Sequence, residues 1–142
     1  MNAARLPLGL ALAALTACAP SASDMDLQRS VSVYNESVRW KRFQVASSFV
    51  PADARAAFLD RYLASEERLQ IESLEVKSVA AIPGEKVPTF DVFVAASLYT
   101  LPSNVLERVV LTERWQLVDG GWKIVHVDRE LAPPHPAPRQ DP

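Results

Sequence analysis

The spacing of the hydrophobic residues changes at residues 66–68 and divides the chain into a helical half and a strand half. Before this point, apolar residues recur every three or four positions, which is typical of amphipathic helices. They fall into three groups: Leu27, Val31, Tyr34, Val38; Phe43, Ala46, Phe49, Val50; Phe58, Leu59, Tyr62, Leu63. We therefore expect three short helices, the first with Ser23 or Asp24 as its N-cap.

After the change, apolar and polar residues alternate, as they do in strands with one buried face. The alternation slips between Ile71 and Leu74, which is the effect of a β-bulge. Turn residues at 83–86, 102–104 and 119–121 separate four apolar segments. The sequence therefore predicts an α+β fold in which N-terminal helices pack on a curved four-stranded antiparallel sheet.

The order of elements and several short sequences resemble the NTF2-like (cystatin-like) superfamily of cone-shaped domains. The residues that carry the resemblance are Tyr34-Asn35, Arg39-Trp40, Phe58-Leu59 and the hairpin from Glu113 to Lys123. The resemblance implies a cavity between the helices and the sheet. Because the superfamily includes isomerases, dehydratases, cyclases and non-catalytic binding domains, the fold alone does not specify the function.

Near the start of the chain, Leu15-Thr16-Ala17-Cys18 follows a short apolar segment and contains the only cysteine. The apolar segment is too short to span a bilayer, which needs roughly 20 apolar residues. An aliphatic residue, two small residues and a cysteine resemble the lipobox of bacterial lipoproteins. The resemblance implies a diacylglyceryl group on the Cys18 thiol and recognition of Leu15, Thr16 and Ala17 by the lipoprotein signal peptidase. The alternative is an ordinary secretory leader with Cys18 as a bystander.

The lipobox also implies an organisation and a location. We expect a lipoprotein signal peptide at residues 1–17, lipidated Cys18 and a flexible tether at 18–25, the NTF2-like domain at 26–130, and a disordered Pro-rich tail at 131–142. Acyl chains on Cys18 would make the membrane a partner. Residue 19 is Ala rather than the Asp that retains lipoproteins in the inner membrane. This implies the cell envelope, at the outer membrane facing the periplasm.

Composition excludes several classes of function. The chain of 142 residues is 49% hydrophobic and has a formal net charge of −2. This weakly acidic balance gives no support for binding to nucleic acid, which needs a dense cationic surface. With two histidines and one cysteine, we expect no metal site, and no sequence motif points to a cofactor.

The Asp119-Gly120 pair favours a two-residue hairpin loop, which would place Glu113 opposite His126. In that register Leu117 faces Trp122 and Trp115 faces Ile124. A loop at Gly120-Gly121 would instead place Glu113 opposite Asp128. The candidate pocket residues are Tyr99, Glu113, Trp115 and His126, with Asp91 and Glu107 as further polar groups. Glu113 and His126 are either an acid/base pair or a partly exposed cross-strand ion pair. Three aromatic residues either line a pocket or fill the core: Trp115, Trp122 and Phe93.

The Arg39-Trp40-Lys41-Arg42-Phe43 segment also has two interpretations. Alternating cations and aromatics can contact anionic lipid headgroups or capture a ligand by cation–π interaction. They can equally form a helix junction in which Trp40 packs inward and the cations stay in water.

The expected function is non-catalytic binding of a small apolar ligand or an envelope partner, so no catalytic residue is assigned. The alternative is an isomerase- or dehydratase-type enzyme that uses Glu113 and His126. A homodimer formed through the exposed sheet face is a further expectation.

Overall fold

The structure, a computed structural model, describes residues 22–133. The elements are α1 (Ala22–Arg39), α2 (Phe43–Ser47), α3 (Arg55–Ser65), β1 (Leu69–Ala81), β2 (Thr89–Thr100), β3 (Glu107–Val118) and β4 (Gly121–Val127). The strands form one antiparallel sheet in the order β1-β2-β3-β4. The predicted α+β fold, with three helices followed by four strands, is confirmed.

The helices bury the apolar faces that the sequence predicts. In α1, Leu27, Val31, Tyr34 and Val38 are all buried. The helix begins at Ala22, within the segment predicted to be a tether. Ser23 and Asp24 therefore lie in its first turn, and the prediction that one of them is the N-cap is wrong.

The predicted bulge in β1 is confirmed by the pairing of β1 with β2. The register shifts between Ile71 and Ser73, and a second time between Val76 and Ser78. Each extra residue bends its strand and increases the local twist. The two bulges therefore curve the β1 edge of the sheet.

The β3–β4 hairpin follows the predicted register at its tip and departs from it beyond Trp115. Asp119 and Gly120 have φ angles of 50° and 76°, as a two-residue type I′ loop requires. Trp115 pairs with Ile124 as predicted, but the register then shifts and Val125 is left without a partner. Arg114 consequently pairs with His126, and Glu113 pairs with Val127. The predicted pairing of Glu113 with His126 is wrong because of this bulge.

The inner face of the sheet carries an aromatic core beneath the helices. Tyr34 lies at its centre, with ring centroids 5.6 Å from Trp115, 6.4 Å from Phe49 and 6.3 Å from Phe58. Trp115 is completely buried. The interpretation of Trp115 as a core residue is therefore the correct one, and these rings fill the space above β3 and β4.

The C-terminal segment after β4 packs onto the domain. Ala132 is buried, and Leu131 is half-buried and packs against the hydrophobic core. Residues 131–133, placed in the tail by the sequence analysis, therefore belong to the folded domain. The rest of the predicted tail, residues 134–142, lies outside the described residues.

Candidate ligand-binding site

A groove runs between α1 and β1, on the inner side of the sheet. Lys41, just after α1, donates a hydrogen bond to the carbonyl of Glu66, just before β1, and so holds the two elements together at one end. The groove has a volume of about 430 Å³, within the range of roughly 300–1,000 Å³ that is usual for small-molecule sites. Its lining residues are Leu27, Gln28, Val31, Ser32, Asn35, Glu36, Arg39, Leu74, Val76 and Val79.

The apolar wall of the groove is partly open to solvent. Val76 and Val79 lie on the inner side of β1, yet they are 45% and 42% exposed. The α1 side of the groove includes the short side chain of Ser32 and the polar Gln28. Because the two valines remain almost half exposed, their apolar surface is available to a ligand.

The polar end of the groove is built by the last turn of α1. Arg39 lines the groove, and its guanidinium carbon lies 4.9 Å from the ring centroid of Trp40. The indole N–H of Trp40 donates to a carboxylate oxygen of Glu36 at 3.0 Å. Residues 40–42 form the predicted junction between α1 and α2, but Trp40 is 60% exposed and does not pack inward as that interpretation expected.

Asn35 connects the groove to a carboxyl buried behind it. Its side-chain N–H group donates to Glu113 at 3.3 Å, and the indole N–H of Trp115 donates to the same oxygen at 3.0 Å. Glu113 is only 2% exposed. Burial raises the pKa of Glu113 to about 7, although the hydrogen bonds from Trp115 and Asn35 act in the opposite direction.

The same burial affects the neighbouring phenols. The pKa of Tyr34 is raised well above its usual value by burial, and then by the nearby Tyr62 and Glu113. Burial likewise raises the pKa of Tyr62. Both phenols are therefore neutral at physiological pH, and Glu113 is the group of this cluster that titrates near neutrality.

The structure does not bring the four predicted pocket residues together. Glu113 and Trp115 point into the core, whereas Tyr99 lies on the outer side of β2, where it pairs with Gln70. His126 is exposed and pairs with Arg114 on the outer side of the sheet. It borders a smaller depression of about 200 Å³ at the β4 edge, away from the groove. The predicted pocket of Tyr99, Glu113, Trp115 and His126 is therefore not one site.

The two further polar residues that the sequence suggested also lie outside the groove. Asp91 forms a two-pronged ion pair with Arg114 on the outer face, at 2.8 and 2.9 Å. The hydrogen bond from Arg114 holds the pKa of Asp91 below its usual value. Glu107 is exposed at the start of β3.

The lipobox residues Leu15, Thr16, Ala17 and Cys18 lie outside the described residues. Within residues 22–133, no helix has the length and apolar character needed to cross a bilayer. In the same part of the chain, acidic, histidine and cysteine side chains do not cluster in a way that could hold a metal ion.

No protein-family profile matches the chain, and no curated protein matches it. Solved structures are similar in fold. One, assigned as a Ca/calmodulin-dependent kinase II association domain from Exiguobacterium sibiricum, has a TM-score of 0.60 at 16% identity, over 78% of this chain and 94% of that one. An NTF2-like protein of unknown function from Shewanella oneidensis has a TM-score of 0.51 at 13% identity, over 74% of this chain and 96% of that one.

A SEC-C motif containing protein from Rhodopseudomonas palustris has a TM-score of 0.53 at 14% identity, over 66% of this chain and 70% of that one. At such low identities these likenesses show the fold alone. The chain has the NTF2-like α+β fold, with helices packed on a curved open sheet. The likenesses assign it no catalytic activity.

Proposed function

We propose that the chain is a lipid-anchored lipoprotein of the cell envelope whose NTF2-like domain binds a small apolar ligand without catalysing a reaction. The observation that carries the binding function is the α1–β1 groove, with Val76 and Val79 exposed on the inner side of the sheet. A groove with an apolar wall on one side and polar groups on the other is a common form of a small-molecule site.

The lipobox supports the anchoring part of the proposal. Cys18 is only four residues before the start of α1 at Ala22, and four residues span at most about 14 Å. Acyl chains on Cys18 would therefore hold the groove close to a membrane surface, where apolar ligands are concentrated. Ala at position 19 favours the outer membrane, with the domain in the periplasm.

The enzyme alternative has less support. Its acid and base would be Glu113 and His126, but Glu113 is buried behind Asn35 while His126 lies on the outer side of the sheet. A general acid must come within hydrogen-bond distance of the group that it protonates. A buried Glu113 without a histidine partner does not meet this requirement.

Binding can be tested with Nile red, a neutral apolar dye, and the full chain in phosphatidylcholine nanodiscs. We expect the double variant Val76→Asp/Val79→Asp to lose at least about tenfold in affinity, because two charges would enter the apolar wall. The matched control is Val110→Asp on the outer face, where the valine is 64% exposed. If the control lowers affinity as much as the double variant, the groove is not the binding site. If the wild type binds no dye beyond empty nanodiscs, a protein partner is the better candidate.

Anchoring can be tested by growing cells with an alkyne fatty acid and detecting label on the chain. The wild type should incorporate label, and Cys18→Ala should not. A wild type that carries no label would refute the lipobox interpretation.

A further inference from the structure

The polar end of the groove indicates which class of apolar ligand fits it. Arg39 is half-buried and its Nε atom is buried without a hydrogen-bond partner among the described residues. A buried donor that lacks a partner costs free energy. A ligand oxygen would recover this cost if the half-buried side chain shifts to expose Nε. Arg39 also forms no ion pair with the described side chains. The guanidinium at this end therefore has an unused capacity for an anion.

The charged and aromatic groups near Arg39 leave its guanidinium free to bind an anionic ligand. Glu36 is the acidic residue that lines the same end, and one of its oxygens already accepts the indole N–H of Trp40. Lys41 and Arg42 follow within three residues and add positive charge. Trp40 lies against the guanidinium and restricts its position, which reduces the entropy lost when an anion binds.

The shape of the groove specifies the remainder of the ligand. Leu27 and Arg39 are twelve residues apart on one helix, which corresponds to about 18 Å. Along this length the opposite wall consists of Leu74, Val76 and Val79. A groove with an apolar β1 wall along its length and a cation at one end matches a single alkyl chain with an anionic head.

We infer that the groove binds a free fatty acid, with its carboxylate on Arg39 beside Trp40 and its chain along Val76 and Val79. This inference rests on the proposed function and specifies the ligand class of the same site. A planar guanidinium can bind a carboxylate through two parallel hydrogen bonds, a geometry that a neutral alcohol headgroup does not match.

The orientation can be tested by fluorescence, because bromine quenches only the tryptophans that it approaches. Of the three tryptophans, Trp115 and Trp122 are buried in the core, whereas Trp40 is exposed at the proposed head site. The full chain in phosphatidylcholine nanodiscs is titrated with dodecanoate brominated either at the α-carbon or at the ω-carbon. We expect stronger quenching by the α-bromo compound and loss of this difference in Trp40→Phe. Equal quenching, or stronger quenching by the ω-bromo compound, would overturn the assignment.

The charge requirement is tested by replacing Arg39. Arg39→Gln should weaken dodecanoate binding by at least about tenfold and change the binding of dodecanol by less than about twofold. Arg29→Gln, which removes a cation from an exposed position of the same helix, should leave both affinities unchanged.

The outcomes separate the two proposals. If Nile red binds in the groove but Arg39→Gln leaves dodecanoate affinity unchanged, the groove binds apolar ligands and the fatty-acid inference is wrong. If Val76→Asp/Val79→Asp leaves both Nile red and dodecanoate bound, the proposed function fails as well. Quenching of Trp40 that persists in this double variant would place dodecanoate on the surface outside the groove, which also overturns the inference.

Discussion

The two ends of the inner sheet face are built from different side chains. Above β3 and β4, Tyr34, Phe49 and Trp115 meet edge to face and exclude solvent. Above β1, the same face carries Val76 and Val79, which stay almost half exposed beside α1. α1 lies over both ends, but the aromatic end is also covered by Phe49 and Phe58 from the α2–α3 region. Large side chains and this extra cover therefore separate the closed core from the open groove.

This difference indicates which end of the sheet contributes to stability and which to ligand binding. Large aromatic side chains bury the most apolar surface and dominate core energetics. Valines that remain in contact with water contribute little to folding and keep apolar surface available for binding. We therefore assign stability mainly to the aromatic end and binding to the valine end.

The largest expected effect is on the aromatic end. Trp115→Ala should lower the free energy of unfolding by about 3–5 kcal/mol, because it removes a completely buried ring and leaves a cavity. Val79→Ala, on the same face of the sheet, should change it by less than about 0.5 kcal/mol. Urea denaturation measures both. Comparable losses would show that the groove end is part of the core.

The next effect concerns the buried carboxyl behind the groove. Burial raises the pKa of Glu113 from 4.5 to about 7, so the folded state binds a proton more tightly than the unfolded state. The contribution of the neutral carboxyl to the free energy of unfolding is complete below pH 4.5 and is lost as pH rises through about 7. The total loss is about 3 kcal/mol, at 1.36 kcal/mol per pKa unit.

Glu113→Gln should therefore be more stable than the wild type at about pH 8 and lack this pH dependence. Glu72→Gln, at an exposed position of β1, is the matched control. Urea denaturation across this pH range measures the effect. A wild type whose stability rises between pH 5 and pH 8 by more than the Gln variant's would contradict the raised pKa.

A smaller effect is expected on the outer face. Asp91→Asn breaks the ion pair with Arg114, whose side chain is 41% exposed. The loss should be at most about 1 kcal/mol near neutral pH. Because Arg114 lowers the pKa of Asp91, the contribution should disappear as pH falls below the usual range for aspartate. A loss above about 2 kcal/mol would mean that this face is covered, as in the expected homodimer.

The smallest effect on stability is expected when the groove is filled. Val79→Phe adds a ring at an exposed position and should change the free energy of unfolding by less than about 0.5 kcal/mol. Nile red affinity should nevertheless fall by about tenfold, since the ring occupies ligand space. Unchanged affinity in a folded Val79→Phe variant would argue that the ligand does not lie along β1.

The fold was predictable because it is encoded by local patterns. The stripe Leu27, Val31, Tyr34 and Val38 specifies the buried face of α1. The Asp119-Gly120 pair specifies the hairpin loop, and the slip after Ile71 specifies a bulge. Each signal depends on residues close in sequence, where backbone geometry and side-chain spacing are directly related.

The site was not predictable in the same way. The bulge at Val125 has no local marker, and one inserted residue moves His126 away from Glu113. The groove depends on how closely α1 and β1 approach, and the elements are separated by α2 and α3 in the chain. Asn35 and Arg39 belong to the short sequences that resemble the NTF2-like superfamily. Their position in the groove could be seen only in the tertiary structure.

The assignment of binding to the open end of the sheet is tested most directly by mapping where an apolar ligand contacts the chain. The full chain in phosphatidylcholine nanodiscs is irradiated with a diazirine-bearing fatty acid, and the labelled residues are identified by mass spectrometry. We predict labelling on the groove side of α1 and on β1 from Leu74 to Val79, which excess dodecanoate suppresses. Suppressible labelling concentrated on the outer face around Val110, or at Phe49 and Phe58 in the aromatic core, would contradict the assignment of binding to the open end of the sheet.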